Sequence, residues 1–343
     1  MNNKIWKIGD IWNKTLEDRT ERASSPRNRI WASELGKQDI DIYLKLMGEK
    51  PSNDFDVRAL RKFEAGNLFE WVVQMILTRC GVYQSSQKWI GNNEFGLEVS
   101  GKLDHVAGGK PDKNMMATIK DLGLPEVFTK ATEKIMEYLT GEYSNGLPSQ
   151  IFEVKSTSSY GIEKVYETKK ALAGHDLQAF HYAYNEKLNG VVLYISKDDL
   201  RLAEVEVRYD DENLLSRYRE KIERVTTSYR KKEEPEKEPE ILFSEEERKF
   251  IKNFNVEYSA YLTRNYGDKY QKPMDYSDVV TPKIASWNRV LTRIKDGKDM
   301  TDDNASKIGE MAENGFNVEE IKKSIVSQEV IEDLNNQDLQ EKK

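Results

Sequence analysis

Apolar positions recur at helical spacing from Val57 to Arg79, where Leu60, Phe63, Leu68, Trp71, Val72, Met75 and Ile76 form a stripe ahead of Gly81. The pattern predicts a long helix that packs along this stripe and stops at the glycine. Ile40, Tyr43, Leu44 and Met47 predict a shorter helix over residues 39–48. Beyond Gly81 the period changes to two. Strands are expected around Gln87–Ile90 and Leu97–Val106, with Gly91, Asn92 and Asn93 turning the chain between them. Alternation returns from Ile151 to Ser156, behind Gly146 and Pro148, and a helical region follows through Lys187. Val191 to Ile195 is apolar throughout, as an internal strand is, and Leu202–Arg208 predicts one more strand before a polar helix over residues 211–230.

These elements predict an α/β fold with a central mixed sheet flanked by helices, followed by a small α-helical C-terminal domain. Residues 1–30 are a polar N-terminal arm with Trp6 and Trp12 as docking points. Their arginines, Arg19, Arg22, Arg27 and Arg29, suit either a flexible leader or an arm that touches phosphate. The main domain spans residues 31–230, with an insertion over 108–150 that has helical patterning at Met115–Asp121 and Val127–Tyr138. Pro235 and Pro239 among charges make residues 231–240 a linker. Residues 241–327 read as helix-rich, with stripes Phe243/Phe250/Phe254 and Ile308/Met311/Phe316/Ile321, and residues 328–343 as a disordered tail.

Composition narrows the chemistry only slightly. The chain of 343 residues carries a formal charge of −7, but the acidic excess lies beyond residue 230, so a local basic groove for nucleic acid remains compatible with the rest. The single cysteine, Cys80, excludes a disulfide framework and a cysteine-held zinc or iron–sulfur site. The N-terminal stretch lacks the apolar run of a signal peptide, and no segment approaches the length of a membrane span. A soluble cytoplasmic protein without membrane contact is therefore expected.

The segment around Glu153, Val154 and Lys155 carries the strongest chemical signal. In an extended strand Ile151, Glu153 and Lys155 share one face, which sets a carboxylate and an ammonium about 7 Å apart along it. Acidic-x-Lys also starts at Glu167, Glu247, Asp296, Glu320 and Glu341, but those copies lie in charged stretches. Alone, the pair reads first as a solvated ion pair on a sheet face. Three further features fall in order along the chain. Gly66 to Glu70 lies on the long helix, with Glu70 on the face of Gly66, Val73 and Leu77. Gly101 to His105 ends a strand and includes Asp104. Gln178 and Tyr182 stand one helical turn apart, beside a core stripe of Leu177, Phe180, His181 and Tyr184. His175 and His181 are six residues apart, which is not the spacing of a helical zinc pair.

This order resembles the PD-(D/E)XK nuclease superfamily, with its restriction-endonuclease-like core, and within it the RecB-like group that includes phage exonucleases, over roughly residues 30–210. The resemblance implies that Asp104 and Glu153 are the metal-binding acids, that the Val154 carbonyl adds a ligand and that Lys155 is the catalytic lysine. It also implies that Gln178 and Tyr182 form the substrate-binding Gln-x-x-x-Tyr motif. Glu70 stands where RecB-like enzymes carry a histidine, which leaves an all-oxygen site suited to Mg²⁺ or Mn²⁺. Ser33 to Gln38 resembles the start of the cluster-bearing members, yet Gln38 replaces a cysteine there, so no iron–sulfur cluster is expected.

The implied function is metal-dependent hydrolysis of DNA by an activated water, leaving a 5′-phosphate. An exonuclease of phage recombination or repair is the first expectation. A structure-specific endonuclease of the same fold and a non-catalytic nucleic-acid- or protein-binding module are the alternatives. A recombination or single-strand-binding protein is the expected partner of the C-terminal helical region. Asp302–Ile325 has the length of a helix-turn-helix about Asn314 and Gly315, but with few basic residues it reads as a packing or partner-binding pair.

Overall fold

A computed structural model describes residues 7–325 except 18, 20, 22, 23, 113, 115–125, 144 and 173. It forms two compact units, Met1–Glu236 and Lys237–Lys343. The first unit is α/β, built on a six-stranded mixed sheet. In chain order its elements are α1 (Ile8–Glu17), β1 (Arg29–Trp31), a 3₁₀ turn (Ala32–Glu34), α2 (Asp39–Met47), α3 (Val57–Arg79), β2 (Tyr83–Asn92) and β3 (Glu98–Gly109). These are followed by α4 (Glu126–Glu142), β4 (Leu147–Thr157), α5 (Ser159–Thr168), α6 (His175–Glu186), β5 (Gly190–Ser196), β6 (Leu202–Val207) and α7 (Glu212–Lys231).

Strand β3 organises the sheet. Its whole length pairs antiparallel with β2, its start pairs parallel with β1 (Trp31 opposite Ser100), and its end pairs antiparallel with β4 (His105 opposite Phe152). Strand β4 runs parallel to β5, and β6 closes the edge antiparallel. The apolar run of β5 is buried at every position because helices cover both of its faces. Val192 and Tyr194 join the main core with α2, α5, α6 and α7, whereas Val191, Leu193 and Ile195 pack with Phe69, Val73 and Leu77 of α3.

Helix α3 has the predicted bounds but the opposite orientation. Phe63, Leu68, Trp71, Val72 and Ile76 of the expected core stripe are exposed, and the sheet receives Phe69, Val73 and Leu77. Gly66 belongs to this inward face, where the space of a Cβ is bounded by the Ser156 hydroxyl at 3.6 Å. A helix apolar on more than one side leaves periodicity unable to choose its buried face.

The N-terminal arm contains a helix that was not expected, while Trp12 docks as expected. Residues 8–17 form α1, which buries Leu16, and Trp12 Nε1 donates to Glu64 Oε2 at 2.7 Å on α3. Trp6 and the Met115–Asp121 stretch lie outside the described residues, as does the expected tail over 328–343. Of the 108–150 insertion, the structure describes α4 and extends β3 and β4 into its two ends.

The second unit is not purely helical. It opens with a hairpin, β7 (Ile241–Ser244) and β8 (Lys249–Lys252), and continues through α8 (Phe254–Glu257), α9 (Leu262–Tyr266), α10 (Pro273–Lys295) and α11 (Asp302–Glu313) to a helical turn over 318–325. Phe243 and Phe250, expected on one helical stripe with Phe254, are cross-strand partners, and Phe254 is exposed. Phe250 packs edge-on against Trp287 and Phe316 in this unit's core. The expected linker is shorter than 231–240. Lys231 ends α7, while Pro239 and Glu240 accept hydrogen bonds from Asn253 and Tyr276 within the second unit. Among the described residues no helix is long and apolar enough to cross a membrane.

Candidate active site

The site forms where β3 and β4 part. The last paired residues there are His105 and Phe152, and β3 pairs with β1 further toward its start. The Val154 N–H would lack a strand partner at this fork, and Asp104 Oδ2 accepts it at 2.8 Å. Asp104 is thereby fixed beside Glu153. Strand alternation turns His105 the other way, where its Nε2 meets the Glu70 carbonyl at 3.0 Å.

Glu153 is fully buried on the sheet face that packs against α6. Lys155 Nζ donates to its Oε1 at 2.6 Å, and Gln178 of α6 lies beside the same carboxylate. The other oxygen, Oε2, is buried without a hydrogen-bond partner. Such an atom is costly unless something occupies it. Burial raises the pKa of Asp104 well above the ordinary carboxylate range, and neighbouring Glu153 and Glu70 raise it further, against Lys155. Burial also raises that of Glu153, against the opposing pull of Lys155. For Lys155, burial favours the neutral amine, but Glu153, Asp104 and Glu70 outweigh it and lift its pKa above the usual lysine value. Lys155 is therefore a permanent cation here, unsuited to act as a base.

Tyr182, one turn beyond Gln178 on α6, is buried beside it. Its hydroxyl occupies the space above Gly101, where a Cβ would fall 2.4 Å from the oxygen and 3.0 Å from the Ala32 side chain. Only glycine allows β3 to approach α6 so closely. Gln178 and Tyr182 thus back the carboxylates from within, whereas the resemblance implied that they bind substrate. Glu70 comes from α3 on the opposite side of the sheet and accepts a hydrogen bond from Gln87 of β2. Its charge is felt by Asp104, Glu153 and Lys155.

One residue escaped the functional reading of the sequence. His175 begins α6, three residues before Gln178 and seven before Tyr182, so all three share a helical face. That spacing was the available signal. Burial and the nearby Lys155 ammonium lower its pKa to about 3. His181 is separate, buried in the core with Nδ1 2.7 Å from the Tyr218 hydroxyl, as its place in the core stripe predicted.

Among the described residues no three His, Cys, Asp or Glu side chains converge closely enough to hold a metal ion as they stand. Asp104 and Glu153 nevertheless suit a hard divalent cation. They are neighbouring oxygen donors that share one lysine, and Glu153 Oε2 is buried with no partner.

No family model matches the chain, and no curated protein matches it. Among solved structures, the crystal structure of SSO0001 aligns over 66% of this chain and 87% of that one, at 14% identity and a TM-score of 0.37. A likeness this loose carries no argument about fold family or function.

Proposed function

We propose that this protein is a divalent-metal-dependent DNA nuclease of the PD-(D/E)XK type, acting from DNA ends as RecB-like and phage exonucleases do. The observation that carries the reading is the meeting of Asp104, Glu153 and Lys155 at one strand fork, with a Glu153 oxygen buried and unpartnered. A solvated surface ion pair has neither the burial nor the raised carboxylate pKa values found here.

Asp104 and Glu153 would hold Mg²⁺ or Mn²⁺, with the Val154 carbonyl and Glu70 as further candidate ligands. The bound ion would supply Lewis-acid neutralisation of charge on the phosphoryl oxygens. Lys155, a permanent cation, stabilises the charge that grows in the transition state and orients the attacking water. Gln178 holds Glu153 in place, and Tyr182 in turn packs Gln178 against β3.

The test incubates the full chain with linear and covalently closed circular DNA in Mg²⁺, in Mn²⁺ and in EDTA. Metal-dependent loss of linear DNA with survival of circles is the expected result. Nicking of the circles would replace the exonuclease with an endonuclease, and cleavage of neither would leave a binding module.

A further inference from the structure

Tyr194 lies on β5 directly opposite Lys155 of β4, so its side chain rises from the same sheet face beside the proposed catalytic lysine. Its fully buried hydroxyl has two neighbours among the described residues. The Leu172 N–H donates to it at 2.8 Å, and His175 Nδ1 lies 2.9 Å away. Among the described residues no acceptor other than the ring nitrogen lies within hydrogen-bond distance of this buried hydroxyl, so its own proton points there. Nδ1 is then the acceptor, and a neutral imidazole must carry its proton on Nε2.

The start of α6, which carries His175, is fixed by a tight backbone contact. Gly174, with φ +72°, caps the helix, and a Cβ there would sit 2.4 Å from Gly36 Cα. Nε2 has no hydrogen-bond partner among the described residues, although His175 is partly exposed beside Lys155. The fold thus holds a neutral imidazole near Lys155, its Nδ1 engaged by Tyr194 and its Nε2–H without a partner among the described residues.

We propose that His175 is a substrate-contacting residue whose Nε2–H donates a hydrogen bond to one nonbridging oxygen of the phosphodiester, its tautomer fixed by Tyr194. The assignment rests on the nuclease reading above. No proton leaves the imidazole, and the bond strengthens as negative charge builds on the phosphoryl oxygen. A neutral donor is suited to this place, because Lys155 already supplies positive charge and opposes a second cation.

The experiment measures single-turnover cleavage of a linear duplex by the full chain in Mn²⁺, using an ordinary terminal linkage and single Rp or Sp phosphorothioates. His175→Ala should slow cleavage of the ordinary linkage about 100-fold, whereas His175→Gln, which restores an N–H near the Nε2 position, should lose only about 10-fold. Tyr194→Phe should fall between them. Sulfur accepts hydrogen bonds poorly, so the penalty of His175→Ala should shrink to a fewfold on one diastereomer and persist on the other. Equal penalties on both diastereomers, or equal damage from Ala and Gln, would assign His175 a structural role and overturn the proposal. So would unchanged cleavage by His175→Ala. A wild-type chain that cuts no DNA under any metal condition would overturn the nuclease reading itself.

Discussion

Two buried charge clusters in the first unit use the same residue types to opposite effect. Glu34, on the 3₁₀ turn, is bonded by Arg27 and by Lys45 Nζ at 2.8 Å. Burial pushes its carboxyl up, but Lys45, Lys37 and Arg27 outweigh that push and hold it below the ordinary range. Asp104 and Glu153 are also buried, yet share one lysine and remain above the ordinary range. The first cluster answers one carboxylate with three cations and holds the fold. The second is short of positive charge, and such incompleteness is expected where a cation or substrate is to bind.

The contrast is broken most forcefully at Lys155. Lys155→Ala should reduce metal-dependent DNA cleavage by about 100- to 1,000-fold while leaving the circular-dichroism spectrum unchanged. Cleavage within a fewfold of wild type would remove Lys155 from the chemistry. Glu34→Gln should do the reverse, destabilising the protein by about 3 kcal/mol through the loss of its buried ion pairs, with cleavage per folded molecule retained. The depressed pKa of Glu34 fixes the sign. Its contribution is present above the unfolded carboxylate pKa and fades as pH falls through the lower folded value, so variant and wild type should converge in strong acid.

Asp104→Asn should have a smaller and opposite effect on stability. Asparagine can still accept the Val154 N–H and removes a carboxylate whose charged form is disfavoured. A raised folded pKa means that Asp104's favourable contribution is full below the unfolded value and lost as pH rises through the folded one. Urea unfolding without metal should therefore find the variant more stable than wild type by about 1 kcal/mol at pH 8, with the gap closing toward pH 4. A destabilised variant at pH 8 would show that the carboxylate is satisfied as it stands. The smallest expected effect is that of removing the second unit. Residues 1–236 contain every residue of the proposed site, so that fragment should keep cleavage within a fewfold of the full chain. A folded, inactive fragment would make the second unit part of the enzyme.

Much of this site was legible in the sequence because strand alternation is unambiguous. Glu153 and Lys155 share a face in any strand over Ile151–Ser156, and β4 supplies it. The contact between Asp104 and Val154 N–H was not legible, since it depends on how β3 and β4 diverge. Helix periodicity failed at α3 for a different reason. Leu68, Trp71 and Val72 match a buried stripe as well as Phe69, Val73 and Leu77 do, and the sheet, not the local pattern, decides which face is covered. Phe243 and Phe250 show the same limit, since a spacing of seven suits two helical turns and also a hairpin with a short loop. Helix α1 was available in Ile8, Ile11, Trp12 and Leu16, whose spacing is helical within an otherwise polar arm.

The most direct test of the central claim, that the incomplete cluster is built for a divalent cation, is the affinity of the full chain for Mn²⁺ measured by calorimetry at pH 6 and pH 8. Protons compete for carboxylates of raised pKa, so the account predicts tighter binding at pH 8 than at pH 6 and a loss of at least about 10-fold in affinity for Asp104→Asn. Equal Mn²⁺ affinity in wild type and Asp104→Asn, or no binding at either pH, would contradict it.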